Sequence, residues 1–180
     1  RVDTLCVDLT DLQALPLAGT RLVTASALLD LVSRTWLEAL VAELVKHRLP
    51  LYAALSYDGC MTWTPAHAED AAVTQAFNAD QCTDKGFGPA LGPRGAACAA
   101  ALLRQVGYSV QLADSPWDLG PADHVLQAEL LQGIAGAAAR SGHDATDAWL
   151  RARLDACTDG RANIGHVDLL AVPPGRGAHE

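Results

Sequence analysis

The stretch from Leu22 to Ser33, LVTASALLDLVS, constrains the fold more than any other part of the sequence. It starts with a short apolar run, Leu22 to Thr24, which is typical of a strand buried on both faces. Ser26 is a good helix N-cap, and the leucines that follow it predict a short helix. A buried strand that leads into a helix through small residues leaves a crevice at its carboxyl end. Open α/β sheets bind small molecules in such a crevice.

Further strands and helices are expected to alternate around this stretch. Strands are predicted over 2–9, 51–57, 108–113 and 163–173, and helices over 33–48, 65–82, 96–106, 121–140 and 144–156. The order of strands and helices in the first half predicts parallel crossovers and a sheet covered on both faces. The glycine- and proline-rich segment 84–95 predicts a loop. Because no linker divides the chain, residues 1–173 are expected to form one α/β domain, followed by a flexible tail at 174–180.

Charge and cysteine content exclude several classes of function. The sequence has 13 basic and 21 acidic residues and a net charge of −8, which argues against binding to nucleic acid or to anionic membranes. It has no apolar run of the roughly 20 residues that cross a bilayer and no visible signal peptide, so a cytoplasmic protein is expected. Its 5 cysteines are scattered without a CxxC pair, which predicts neither a disulfide framework nor a metal site.

Four segments, taken in order, resemble the carboxyl-terminal two thirds of a class I S-adenosylmethionine-dependent methyltransferase. They are CVDL, LVTASALLDLVS, the pair FNADQCTDKGFGPALGP and SPWDLG, and GHVDLLAVP. The resemblance implies a three-layer, doubly wound, mostly parallel sheet of the Rossmann-like methyltransferase type. It also implies an antiparallel last strand, pairing 164–172 with 108–113, and a helical insertion before that strand. The glycine-rich cofactor loop and the acidic residue that binds the ribose would lie upstream of Arg1.

The resemblance also implies which residues contact the cofactor, S-adenosylmethionine. Asp8 would accept a hydrogen bond from the adenine amino group, beside the backbone amide of Leu9. Ala25 and Ser26 would contact the methionine end. A carboxylate suits an exocyclic amine, and small residues let the backbone approach a ligand. The structural alternatives are that Asp8 caps a turn at a strand end and that Ser26 only caps a helix.

The function implied is transfer of a methyl group to a small-molecule substrate, and the resemblance assigns no catalytic residue. A first alternative is a non-catalytic methyltransferase-like domain that serves as a scaffold or interaction module. A second is a doubly wound enzyme with a different nucleotide-like ligand. A homo-oligomer is compatible with all of these interpretations.

Three further groups of residues have both a functional and a structural interpretation. A long glycine-rich loop can form a lid over a substrate or an exposed connector. Tryptophans can line an apolar pocket, although they more often lie in the core. A histidine and an aspartate two residues apart on a strand share a face, where they can form an acid–base pair or make structural hydrogen bonds. These residues are Asp84, Lys85 and Phe87 in the loop, Trp63 and Trp117, and His166 with Asp168.

Overall fold

The computed structural model describes residues 1–175, which fold into an α/β structure with a mixed sheet. The helix that follows Ser33 begins as predicted, because the Ser33 side-chain oxygen accepts a hydrogen bond from the Trp36 backbone N–H at 3.2 Å. The strands are β1 (Val23–Ser26), β2 (Leu51–Thr64), β3 (Ser109–Asp114), β4 (Trp117–Leu119) and β5 (Arg161–Val172). The helices are α1 (Arg34–His47), α2 (Asp70–Gln81), α3 (Gly95–Gln105), α4 (His124–Arg140) and α5 (Thr146–Ala156).

The strands form one sheet in the order β1, β2, β5, β3, and β4 also pairs with β5. Strand β1 is parallel to β2, whereas β5 is antiparallel to β2, β3 and β4. The predicted reversal of the last strand is confirmed, with Ser109 opposite Val172 and Asp114 opposite Val167. The helical insertion before it is confirmed as α4 and α5. The mostly parallel, three-layer arrangement is not confirmed, because β5 lies inside the sheet and is antiparallel to every strand with which it pairs.

The buried side of β5 changes halfway along the strand. Near its start Ala162, Ile164 and His166 are buried, whereas near its end Leu169 and Ala171 are buried. Since successive side chains of a strand point to opposite faces, these two sets lie on opposite faces of the sheet. The first set packs with α4 and α5, and the second packs with α1 and α3. The two cores therefore lie on opposite faces at opposite ends of β5, and the change falls near His166.

The strand predicted at the N-terminal end is wrong. Residues 2–8 form no strand, and a turn follows at Leu9 and Thr10. The alternating pattern of this segment has no sheet partner to make it a strand, and its apolar side chains stay exposed, with Val2 at 90% and Leu5 at 63%. Alternation predicts a strand only where one face is buried, so the pattern was insufficient here.

The short helix predicted after Ser26 is also wrong. Residues 29–31 form a turn, in which the Leu31 N–H donates to the carbonyl of Leu28 at 3.0 Å. The carbonyl of Asp30 accepts a hydrogen bond from the Gly92 N–H at 2.9 Å. This contact with a distant loop occupies a carbonyl that a helix would use internally. Tertiary contacts therefore replace the local helix with a tight turn.

Helix α3 begins at Gly95, which packs directly against that turn. A Cβ at this position would lie 2.2 Å from the carbonyl oxygen of Leu29. We expect Gly95→Ala to lower the free energy of unfolding by about 1–3 kcal/mol, because the helix or the turn must move. Gly133 in α4 is the matched control, because a Cβ there meets nothing within 4 Å. Gly133→Ala should be neutral or stabilising by up to about 1 kcal/mol. Urea denaturation of both variants checks this, and equal stabilities would contradict the close contact.

Candidate functional site

The carboxyl end of β1 consists of three small residues, Ala25, Ser26 and Ala27. Ser26 and Ala27 are exposed, and the Ala27 N–H donates to the carbonyl of Ala54 in β2 at 3.0 Å. Ala27 has a φ of +50°, a left-handed conformation that costs an L-residue about 1–2 kcal/mol. Backbone strain of this kind is concentrated at ligand sites and turns. We call the surface of Ala25, Ser26 and Ala27 the β1 crevice, after the crevice that the sequence predicts at this end of the strand.

Next to Ala54, strand β2 bulges, and Asp168 holds the bulge. Leu55 has a φ of +54°, and its N–H donates to the Asp168 carboxylate at 3.0 Å. The same carboxylate accepts hydrogen bonds from the Tyr52 hydroxyl at 2.6 Å and the Ser115 hydroxyl at 2.7 Å. Burial raises the pKa of Asp168, but these hydrogen bonds outweigh it and bring the pKa below its usual value. Asp168 is therefore a satisfied structural carboxylate.

A pocket lies between β2, β4 and β5 on one side and α2 and α4 on the other. Its volume is about 170 Å³. Three aromatic side chains form its walls: Tyr57, Phe77 and Trp117. The rings of Tyr57 and Phe77 meet edge to face at 5.4 Å. We call this cavity the aromatic pocket; its polar lining residues are Asp30, Gln81 and His166, and its aliphatic ones are Met61, Leu130, Ile134 and Ile164.

In the described part of the chain, Asp30 is a polar residue of the aromatic pocket that is buried without a hydrogen-bond partner for one of its oxygens. It lies in the turn that follows β1 and is only 8% exposed. Its Oδ1 atom is buried and has no hydrogen-bond partner among residues 1–175. Burial raises the pKa of Asp30, although its own backbone amide and the charge of His166 act in the opposite direction. A buried, unpartnered carboxylate is costly, and a ligand or a catalytic role is one reason for such a group to occur.

His166 lies on β5 in the same pocket and is also 8% exposed. Its Nδ1 is 3.0 Å from the carbonyl oxygen of Ile164. Since a carbonyl can only accept, Nδ1 carries the proton, and in the neutral ring Nε2 keeps its lone pair. The imidazole packs against Trp117, with ring centroids 5.0 Å apart. The histidine is thus held in place by its ring contacts and one hydrogen bond.

The structure separates the four residues predicted to contact the cofactor into two pairs. Ala25 and Ser26 end β1, as predicted. Asp8 lies in a turn and accepts hydrogen bonds from the Thr10 hydroxyl and amide at 2.7 and 2.8 Å, which lower the pKa of Asp8. The carbonyl of Leu9 accepts from the indole N–H of Trp36 at 2.7 Å. Because residues 2–8 are not a strand, Asp8 does not end a strand beside β1. Its contact with adenine stays a prediction.

The predicted lid residues are fastened to the body of the protein. Asp84 accepts hydrogen bonds from two amides of its own loop, at 2.7 and 3.0 Å. Lys85 pairs with Asp80 at 2.8 Å, and Phe87 packs edge to face on Trp36 at 5.6 Å. This loop, α1 and residues 10–13 border an open groove of about 710 Å³. The groove is larger than the aromatic pocket, but its walls carry no buried unpartnered polar atom among the described residues.

The other candidates from the sequence divide between core and pocket. Trp63 is a core residue, 7% exposed and edge to face with Trp149 at 5.4 Å. Trp117 lines the aromatic pocket. His166 and Asp168 lie on the same face of β5, but Asp168 is fully engaged elsewhere, and Asp30 is the carboxylate that shares the pocket with His166. Asp30, Phe77 and Gln81 also line the pocket, although no sequence motif marks them as site residues.

Comparison with models of known protein families gives no match, and neither does comparison with curated proteins. Residues 1–175 contain no group of three or more histidine, cysteine or acidic side chains arranged to hold a metal ion. In the same range, no helix combines the length and the apolar character needed to span a membrane.

Proposed function

We propose that the protein is an S-adenosylmethionine-dependent methyltransferase that acts on a small-molecule acceptor. The observation that carries the proposal is the succession, along one short stretch, of the β1 crevice and the unpartnered carboxylate of Asp30, which lines the aromatic pocket. A donor site and an acceptor site must adjoin for direct methyl transfer. The reversed last strand, which the resemblance to class I methyltransferases implies, also supports the proposal.

The residues of the β1 crevice fit one end of the cofactor. Ala25 and Ser26 would contact the methionine end, because small side chains leave backbone groups within reach of a ligand. Ser26 is exposed and available for this contact. The finer fold assignment, a three-layer and mostly parallel sheet, is part of the proposal. Strand β1 lies at one edge of the sheet, so its outer side is where further parallel strands would pair.

The residues of the aromatic pocket would position the acceptor and take up its proton. When bound, the cofactor supplies an electrophilic methyl group on a sulfonium. An acceptor oxygen or nitrogen forms a bond to the methyl carbon as the carbon–sulfur bond breaks, which leaves a neutral thioether. Asp30 takes the acceptor's proton, since a buried carboxylate with a raised pKa is a better base than an exposed one. The apolar walls exclude water that would compete for the methyl group.

Isothermal titration of the intact protein with S-adenosylmethionine tests the proposal. We expect saturable binding, and we expect Ser26→Trp to weaken it at least about tenfold by filling the β1 crevice. Thr24→Trp is the matched control, because Thr24 is exposed on the same strand and lies outside the crevice. Absence of heat at millimolar cofactor, or equal weakening by both variants, would contradict the assignment and favour the scaffold alternative.

A further inference from the structure

The size of the aromatic pocket limits what can enter it. Dry cavities of about 150 Å³ hold one benzene molecule. The aromatic pocket has a volume of about 170 Å³, which leaves room for one six-membered ring and one small substituent. A nucleoside, a sugar chain or a peptide side chain with its backbone does not fit in that space. The volume therefore selects a compact monocyclic ligand.

The walls favour a flat and unsaturated ligand. The rings of Tyr57, Phe77, Trp117 and His166 surround the cavity, and the Trp117 and His166 rings are tilted by 41°. Aromatic pairs prefer such offset and edge-to-face arrangements, and each contributes beyond its buried area. The Tyr57 hydroxyl is already bonded to Asn78 at 2.9 Å, so Tyr57 acts as a wall.

The polar groups specify a hydrogen-bond donor on that ring. Asp30 lines the pocket, its buried Oδ1 has no hydrogen-bond partner among the described residues, and an ionised carboxylate only accepts. The His166 Nδ1 is committed to the carbonyl of Ile164, so any lone pair that the ring offers to the pocket is on Nε2. A ligand without a donor would leave Asp30 unsatisfied, whereas a hydroxyl group would complete it.

We propose that the acceptor is a single aromatic ring carrying a hydroxyl group, which binds in the aromatic pocket and donates to Asp30. This inference rests on the proposed methyltransferase function. In the reaction the phenolic O–H bond breaks, its proton passes to the Asp30 carboxylate, and the ring oxygen forms the new bond to the methyl carbon. Bound S-adenosylmethionine would supply that methyl group, and the electron pair of the broken carbon–sulfur bond would stay on sulfur. The products are an aryl methyl ether and S-adenosylhomocysteine.

The test compares phenol with toluene, which has the same shape but a methyl group in place of the hydroxyl. Dissociation constants for the intact protein are measured by ligand-detected NMR without cofactor. We expect phenol to bind wild type about tenfold or more tightly than toluene, since toluene leaves Asp30 unpaired. In Asp30→Leu the preference should reverse in favour of toluene. Asp155→Leu is the control, because Asp155 is exposed on α5, and it should keep the wild-type preference.

Each outcome bears on one of the two proposals. Equal or weaker binding of phenol than of toluene to wild type would overturn the inference about the acceptor, whether or not Asp30→Leu folds. An unchanged preference in a folded Asp30→Leu would overturn it as well. If phenol binds as expected but S-adenosylmethionine does not bind, the pocket assignment stands and the methyltransferase proposal fails. If the cofactor binds and phenol does not, only the acceptor class is wrong.

Discussion

Replacing Arg153 with methionine lowers the free energy of unfolding by about 3–5 kcal/mol, the largest stability effect that we expect for this chain. The Arg153 side chain is only 5% exposed, and its Nη2 and Nε atoms donate to Asp70 at distances down to 2.5 Å. It also donates to the carbonyl of Pro65 at 2.6 Å and lies 5.4 Å from the centre of the Trp63 ring. Its removal leaves the Asp70 carboxylate without a counterion and one side of the tryptophan without its cation.

Urea denaturation separates this pair from a general effect of losing an arginine. Arg151→Met is the matched control, because Arg151 is exposed on the same helix, and surface substitutions usually change stability by less than about 0.5 kcal/mol. The double variant Arg153→Met with Asp70→Asn should recover part of the loss, because asparagine removes the uncompensated charge while its side-chain oxygen can still accept from the indole N–H of Trp149, which donates to Asp70 at 2.9 Å. A loss below about 1 kcal/mol for Arg153→Met alone would show that the pair does not hold α5 in place.

Replacing Asp30 with asparagine lowers kcat for methyl transfer to a phenol by a factor of about 10² to 10⁴, the usual contribution of a general base. Asparagine keeps the shape of the side chain and can still accept a hydrogen bond, but it cannot take the proton. We therefore expect KM for the phenol to change much less than kcat. Initial rates of S-adenosylhomocysteine formation give both parameters, and Asp155→Asn provides the control.

Two further measurements distinguish a base from a structural carboxylate at this position. A phenol ionises by itself near pH 10, so the deficit of Asp30→Asn should shrink as the pH approaches that value. Because burial raises the pKa of Asp30 above 3.8, the charged form costs stability once the pH exceeds that value. Asp30→Asn should therefore be more stable than wild type at pH 7, and this advantage should disappear as the pH falls below about 4. A variant that is less stable at pH 7 and equally impaired at pH 10 would contradict the assignment.

The parts of the fold that were predicted from the sequence depend on local periodicity. Helix α1 was predicted within one residue of its bounds, because its apolar spacing and the cap at Ser33 are local signals. The pairing of β3 with β5 was also predicted, through the resemblance. The length of β2 was not predicted, because the strand continues through bulges near Ala54 and Asp58 that place polar residues and a glycine within it. Such irregularities depend on the partner strand, which local patterns do not contain.

Only the part of the candidate site at the end of β1 could be predicted from the sequence. Ala25 and Ser26 follow an apolar run, so their position at the end of a strand could be inferred. Asp30 has one available signal in the sequence, because it is a single acidic residue within the apolar run LLDLV. The backbone of its turn is held by contacts from Gly92 and Gly95, which are distant in the sequence. Phe77 reaches the pocket because α2 packs against α4 and the sheet, a long-range arrangement that periodicity does not define.

Hydrogen exchange with and without S-adenosylhomocysteine tests the central claim most directly, namely that the donor binds in the β1 crevice beside Asp30. The intact protein is labelled and then digested, and mass spectrometry measures the exchange in peptides that cover residues 22–33, 10–13 and 84–89. The account predicts slower exchange in 22–33 on addition of the ligand. Exchange unchanged in 22–33, or slowed only around the open groove at 10–13 and 84–89, would contradict it.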